Sequence, residues 1–90
     1  MAERLKEILV DEAYLSEIER RSKAATPGPW TSFIEGRDNV SGSSFIRTAS
    51  EDIGLSGATD ADQDFIAHAR QDVVLLLSEV RRLRKLAGLA

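Results

Sequence analysis

The sequence predicts an α+β fold. An N-terminal helical region over residues 1–25 leads to a short three-stranded antiparallel meander over 30–56, and a long amphipathic helix over 60–87 follows. Three observations carry this prediction. Glu3 to Ala25 contains neither proline nor glycine, and Ala25-Thr26-Pro27-Gly28-Pro29-Trp30 then sets two prolines and a glycine where no helix can continue. Bulky and β-branched runs follow this corner. Further on, Ile66, Ala69, Val73, Leu76, Val80, Leu83 and Ala87 are spaced by three and four residues in strict alternation.

In the first region Leu5, Ile8 and Leu9 form one apolar group, and Leu15 and Ile18 form another. Asp11 and Glu12 interrupt the stripe between them. Either a short helix ends near Val10 and Asp11 caps the next one, or a single helix turns a second face to a partner; the acid pair favours the break.

After the corner, Trp30-Thr31-Ser32-Phe33-Ile34 reads as a strand. Gly36-Arg37-Asp38-Asn39 is a turn, which Ser41-Gly42-Ser43-Ser44 extends as a loop. Phe45-Ile46-Arg47-Thr48-Ala49 is a second strand. Ser50-Glu51-Asp52 then closes a hairpin onto Ile53-Gly54-Leu55. A meander this small needs a helix on one face to be stable.

Thr59 with Asp62, or Asp60 with Gln63, makes a capping box for the last helix. Asp60, Asp62 and Asp64 suit the positive end of the helix dipole, and Arg81, Arg82, Arg84 and Lys85 suit the negative end, with Gly88 as the stop. The three-and-four spacing is a coiled-coil seam over about three heptads, and Leu77 and Leu86 widen it. A helix of ~26 residues spans ~39 Å, more than a small meander covers. Its apolar face therefore predicts a homo-oligomer, or an intramolecular hairpin with Leu15 and Ile18. The oligomer interface expected from the seam is Ile66, Ala69, Val73, Leu76, Val80 and Leu83.

Composition bounds the function. A 90-residue chain forms one small domain and buries only about 60% of its unfolded surface. With no cysteine and one histidine, disulfides, thiolate sites and multi-histidine zinc cages are excluded, which leaves self-association as the way to bury more. The net charge of −3 argues against a dedicated nucleic-acid binder. The longest apolar run, Val73 to Leu77, is far short of a membrane span, and no signal-peptide core precedes it. The expectation is a cytoplasmic protein without a cofactor.

Among residues that carry chemistry, His68 stands four positions from both Asp64 and Asp72 on one helical stripe. No second histidine, nucleophile or phosphate loop completes a site, so the stripe reads as a solvated face, with no catalytic or metal role. Asp60-Ala61-Asp62-Gln63-Asp64 begins like a calcium loop but has Phe65 at the glycine position. The basic run Arg81–Lys85 pairs with acids such as Glu17 and Glu19 rather than with nucleic acid. Trp30 is first a core anchor. If its face is open, Trp30 or Phe33 would stack on a base while Arg37, Arg47 and Arg70 hold phosphates. With His68 these form the candidate ligand-binding set for a nucleotide.

Three blocks carry a family resemblance: Leu15-Ser16-Glu17-Ile18-Glu19-Arg20-Arg21 leading into Ala24-Ala25-Thr26-Pro27-Gly28-Pro29-Trp30; a variable β-rich stretch; and Phe65-Ile66-Ala67-His68-Ala69-Arg70-Gln71-Asp72-Val73 with Leu76-Leu77-Ser78-Glu79-Val80-Arg81-Arg82-Leu83. In these the chain resembles the Ead-like family of small phage and prophage early-region proteins. The resemblance spans about Leu15 to Leu83, and Met1 to Asp11 looks like an addition. It implies provenance more than mechanism, a small non-essential phage accessory protein expressed to change host behaviour; with no catalytic set in the chain, the expected action is non-catalytic binding in the host cytoplasm. One form is an oligomeric counter-defence sponge for a host nucleotide signal. The other is an adaptor or inhibitor engaging a host regulator through the C-terminal helix.

Overall fold

The computed structural model describes residues 10–88; the short helix expected before Val10 lies outside them. The chain is α+β, in the order α1 (Glu12–Ala24), β1 (Thr31–Phe33), β2 (Phe45–Arg47) and α2 (Asp60–Leu86).

The start of α1 follows from Asp11, whose Oδ1 accepts the Tyr14 N–H at 2.9 Å as an N-cap. For α2 the Thr59–Asp62 capping box forms, each side chain accepting the other residue's backbone N–H. Asp60 and Gln63 do not form the alternative box, because Gln63 is turned into the core. At the other end Gly88 adopts φ +76°, and its N–H bonds to the Lys85 carbonyl, closing the helix where the glycine predicts.

β1 and β2 pair antiparallel, Ser32 opposite Ile46 and Phe33 opposite Phe45. The expected third strand shrinks to one residue. Ile53 exchanges both backbone hydrogen bonds with Ile46, at 2.8 and 2.9 Å, as an isolated bridge. The chain is diverted before it, where Thr48 Oγ1 donates to Glu51 O and accepts the Ser50 N–H.

The helices run antiparallel, since Ser22 meets Arg70 at one end of α1 while Glu12 and Glu19 meet Arg81 toward the other. The Glu19 carboxyl is held below its ordinary range first by the hydrogen bond from Arg81. Glu17, the other acid expected to reach the basic run, pairs instead with Arg20 and Arg21 of its own helix. The core is small: Leu15, Ile34, Ile46 and Ala67 are its buried apolar residues. Each large one contributes about 1.5–3 kcal/mol. No helix among the described residues is long and apolar enough to cross a membrane.

Candidate functional site

Two glutamines on α2 attach both strands and Trp30 to it. Gln63, Ala67 and Gln71 recur every four residues and so share one face. Ala67 is fully buried; with no side chain beyond Cβ, it lets α2 come close to its neighbours. Gln63, 3% exposed, donates through Nε2 to Ser32 Oγ at 2.9 Å, Phe33 O at 3.2 Å and Phe45 O at 3.1 Å, thereby touching both strands. Gln71 closes a ring on Trp30: its Oε1 accepts the Trp30 N–H, and its Nε2 donates to the Trp30 carbonyl, both at 2.9 Å. The amide side chain thus takes the place of a neighbouring strand.

The proline–glycine corner docks on the same helix. The Thr26 carbonyl accepts from Trp30 Nε1 at 3.0 Å and from Arg70 Nε at 2.9 Å, while Arg70 Nη1 reaches Ser22 Oγ at 3.3 Å. The Gly28–Pro29 peptide is cis. A Cβ on Gly28 would stand 3.4 Å from both Arg70 Cγ and Gln71 Oε1, so the approach is close. The two most distinctive sequence blocks therefore pack on one another, and the corner is a docking element.

Beside it α1 and α2 leave an open apolar groove of about 600 Å³, lined by Leu15, Ile18, Trp30, Val73, Leu76 and Val80, with Val10, Ala69 and Leu77 also present. Polar groups enter at one end only, through Arg21, Ser22 and Arg70. The seam is thus divided. Ala69, Val73, Leu76 and Val80 face the groove, yet Leu76 stays 63% exposed and Leu83, beyond it, 50%. Ile66 lies instead in a separate recess with Leu55 and Phe65. The intramolecular hairpin forms and half-covers the seam, leaving Leu76 and Leu83 its most exposed large members.

The nucleotide-binding set does not converge. Trp30 and Arg70 meet at Thr26 on the helix side of the sheet. Phe33 follows Ser32, which contacts α2, and so points the other way. There it stacks on Phe45 at 5.3 Å, with the Arg47 guanidinium 4.7 Å from its ring centre and 5.8 Å from that of Phe45. Arg37 is engaged by two carboxylates, Asp38 and Asp64, each at 2.8 Å. These hold its pKa above the ordinary arginine value, Asp64 contributing most. In return the Arg37 hydrogen bond, followed by one from Ser32, brings the Asp64 carboxyl down to about 2. His68 is exposed and its Nδ1–H donates to the Asp64 backbone carbonyl at 2.8 Å, so the acid and the histidine of the stripe are joined through the main chain.

Reading by residue type gave Gln63 only a capping role and passed over Gln71, although these two clamp the strands and Trp30 to α2. The signal was present: Gln, Ala and Gln at i, i+4 and i+8 make a polar–small–polar row beside an apolar stripe, the pattern of a helix that docks on backbone. The groove's two walls were both read, as an apolar pair on α1 and a seam on α2; their side-by-side placement comes from the corner. No protein-family model, curated protein or solved structure matches this chain, and its own side chains define the site.

Proposed function

We propose that the chain is a non-catalytic accessory binding protein, of the kind the Ead-like outline implies, whose working surface is the α1–α2 groove and whose ligand is an amphipathic helix of a polypeptide. One observation carries this reading. The groove is apolar except at the end where Arg21, Ser22 and Arg70 enter, and large side chains of the seam, Leu76 and Leu83, remain exposed at and beyond it. Water-exposed leucines at heptad spacing gain about 25 cal/mol per Å² when a second helix covers them. The proposed action is to occupy or block a protein surface in the host cytoplasm, as an adaptor or inhibitor does.

A second reading keeps the nucleotide sponge, now at a smaller site. Arg47 makes no ion pair among the described residues and lies over two stacked phenylalanines. That platform suits an aromatic anion.

Native mass spectrometry separates the two readings. The protein purified from its expressing cells, with and without a mixture of linear and cyclic nucleotides, is expected to carry a bound polypeptide chain that Leu76→Asp releases and Arg47→Ala does not. A bare monomer that gains a nucleotide mass, lost in Arg47→Ala, overturns the groove reading.

A further inference from the structure

Resting on the groove reading, we infer that the helix filling the groove belongs to a second copy of this chain, giving an antiparallel four-helix bundle with α1 of each copy over α2 of the other. The argument begins with self-complementarity. Both walls are already helices, and both offer apolar residues to the groove: the half-buried Ile18 above the buried Leu15 on one, and Val73, Leu76 and the half-buried Val80 on the other. A pair of antiparallel helices with one open apolar face is half of a four-helix bundle.

The rims select the arrangement. On the α1 rim stands Arg21, which lines the groove and is held by Glu17 in its own helix at 3.1 Å. On the α2 rim stands Asp72, exposed and without an ion pair among the described residues; it lies three residues from Ala69 and four from Leu76, on their row. The helices are antiparallel with Ser22 beside Arg70, so Arg21 and Asp72 lie at the same height along the pair. A two-fold axis parallel to the helices keeps that height and sets α1 opposite the partner's α2. Each Arg21 then meets an Asp72 across the interface, twice per dimer. A two-fold axis across the helices would instead set α1 on α1 and invert the height, so that Arg21 faces no Asp72. The back edge is bridged within the chain, Arg81 to both Glu12 and Glu19, whereas Arg21 has one such partner, Glu17, and Asp72 has none among the described residues. Charge complementarity thus points both to the same chain and to one orientation of it.

The test is sedimentation of the full chain with charge exchange. The wild type is expected at twice its 9.9 kDa mass, and Leu76→Asp at once that mass with its helical circular dichroism kept. Arg21→Glu and Asp72→Arg each weaken the dimer by roughly tenfold, two exposed pairs being lost. The combined Arg21→Glu/Asp72→Arg chain recovers it. A dimer indifferent to Leu76→Asp, or one in which the double exchange fails to recover, overturns the arrangement. A wild-type monomer overturns the second copy. If that monomer binds anilinonaphthalene sulfonate and Leu76→Asp removes the binding, the groove reading survives with another occupant. If it binds none, both readings fall.

Discussion

Replacing Gln63 with leucine tests the clamp between helix and sheet most directly. The side chain is 3% exposed, and its Nε2 faces three acceptors on two strands. Two N–H groups make the equivalent of two good bonds, each contributing about 1 kcal/mol net. Leaving the Phe33 and Phe45 carbonyls against methyl groups costs about 1 kcal/mol more, and the extra apolar burial of leucine offsets about the same amount. The net loss is about 2 kcal/mol, or roughly 8–16 °C in Tm for a domain of this size. Thermal unfolding followed by circular dichroism at fixed protein concentration measures it, and a urea titration with unchanged slope confirms that the folded state is the same. A melt within roughly 2 °C of wild type, well under the loss of one bond, refutes the clamp. Gln63→Glu sharpens the test. Its carboxylate faces two carbonyl oxygens in a dry site, so its folded pKa rises above the ordinary value of about 4.3. Stability is kept below that value, where the protonated acid donates, and falls as the pH climbs to the raised pKa.

Two further outcomes follow from the polar contacts. The Asp64 carboxyl titrates near 2, below the 3.8 of a free aspartate; the stability it provides is fully present above about pH 4 and is lost as the pH falls through 2. Acid unfolding of the wild type is therefore steeper between pH 4 and 2 than that of Asp64→Asn, and equal slopes would remove Arg37 as its cause. Arg70→Ala takes away the bonds to Thr26 and Ser22, so the corner loosens, Trp30 fluorescence moves to longer wavelength, and stability falls by about 1–2 kcal/mol. Arg47→Ala, on the opposite face of the sheet, leaves the emission unchanged.

The helices were legible because their signals are local. Asp11, Thr59 with Asp62, and Gly88 end or begin them through groups within four residues, and each does what its type predicts. The strands were legible in place but not in extent. Residues 53–55 have strand-like composition, yet Thr48 bonds to Ser50 and Glu51 and turns the chain so that only Ile53 reaches β2. The candidate site was less legible, since convergence of distant side chains is a tertiary fact. Alternation in β1 sends Phe33 away from Trp30, and Arg37 finds Asp64, 27 positions along the chain. The seam was visible as a period, but which part of it α1 would leave open depended on how the corner sets α1 beside α2.

The clamps on α2 reach mostly for main-chain atoms: the amide and carbonyl of Trp30, and the carbonyls of Phe33 and Phe45. Every residue type carries a carbonyl there, and all but proline carry the amide. The segment between the corner and the long helix is thus gripped by its peptide groups together with a few inward side chains, the buried Ile34 and Ile46 and the Ser32 hydroxyl. Outward side chains that meet neither α2 nor the core, such as Phe33, Phe45 and Arg47, can be rewritten without loosening the grip, whereas the loop from 35 to 44 is part of it through Arg37 and Asp64. Such a design behaves as a socket with an exchangeable insert. Selection on the insert and selection on the socket proceed separately, and a protein built this way can change what its sheet displays while keeping how it folds.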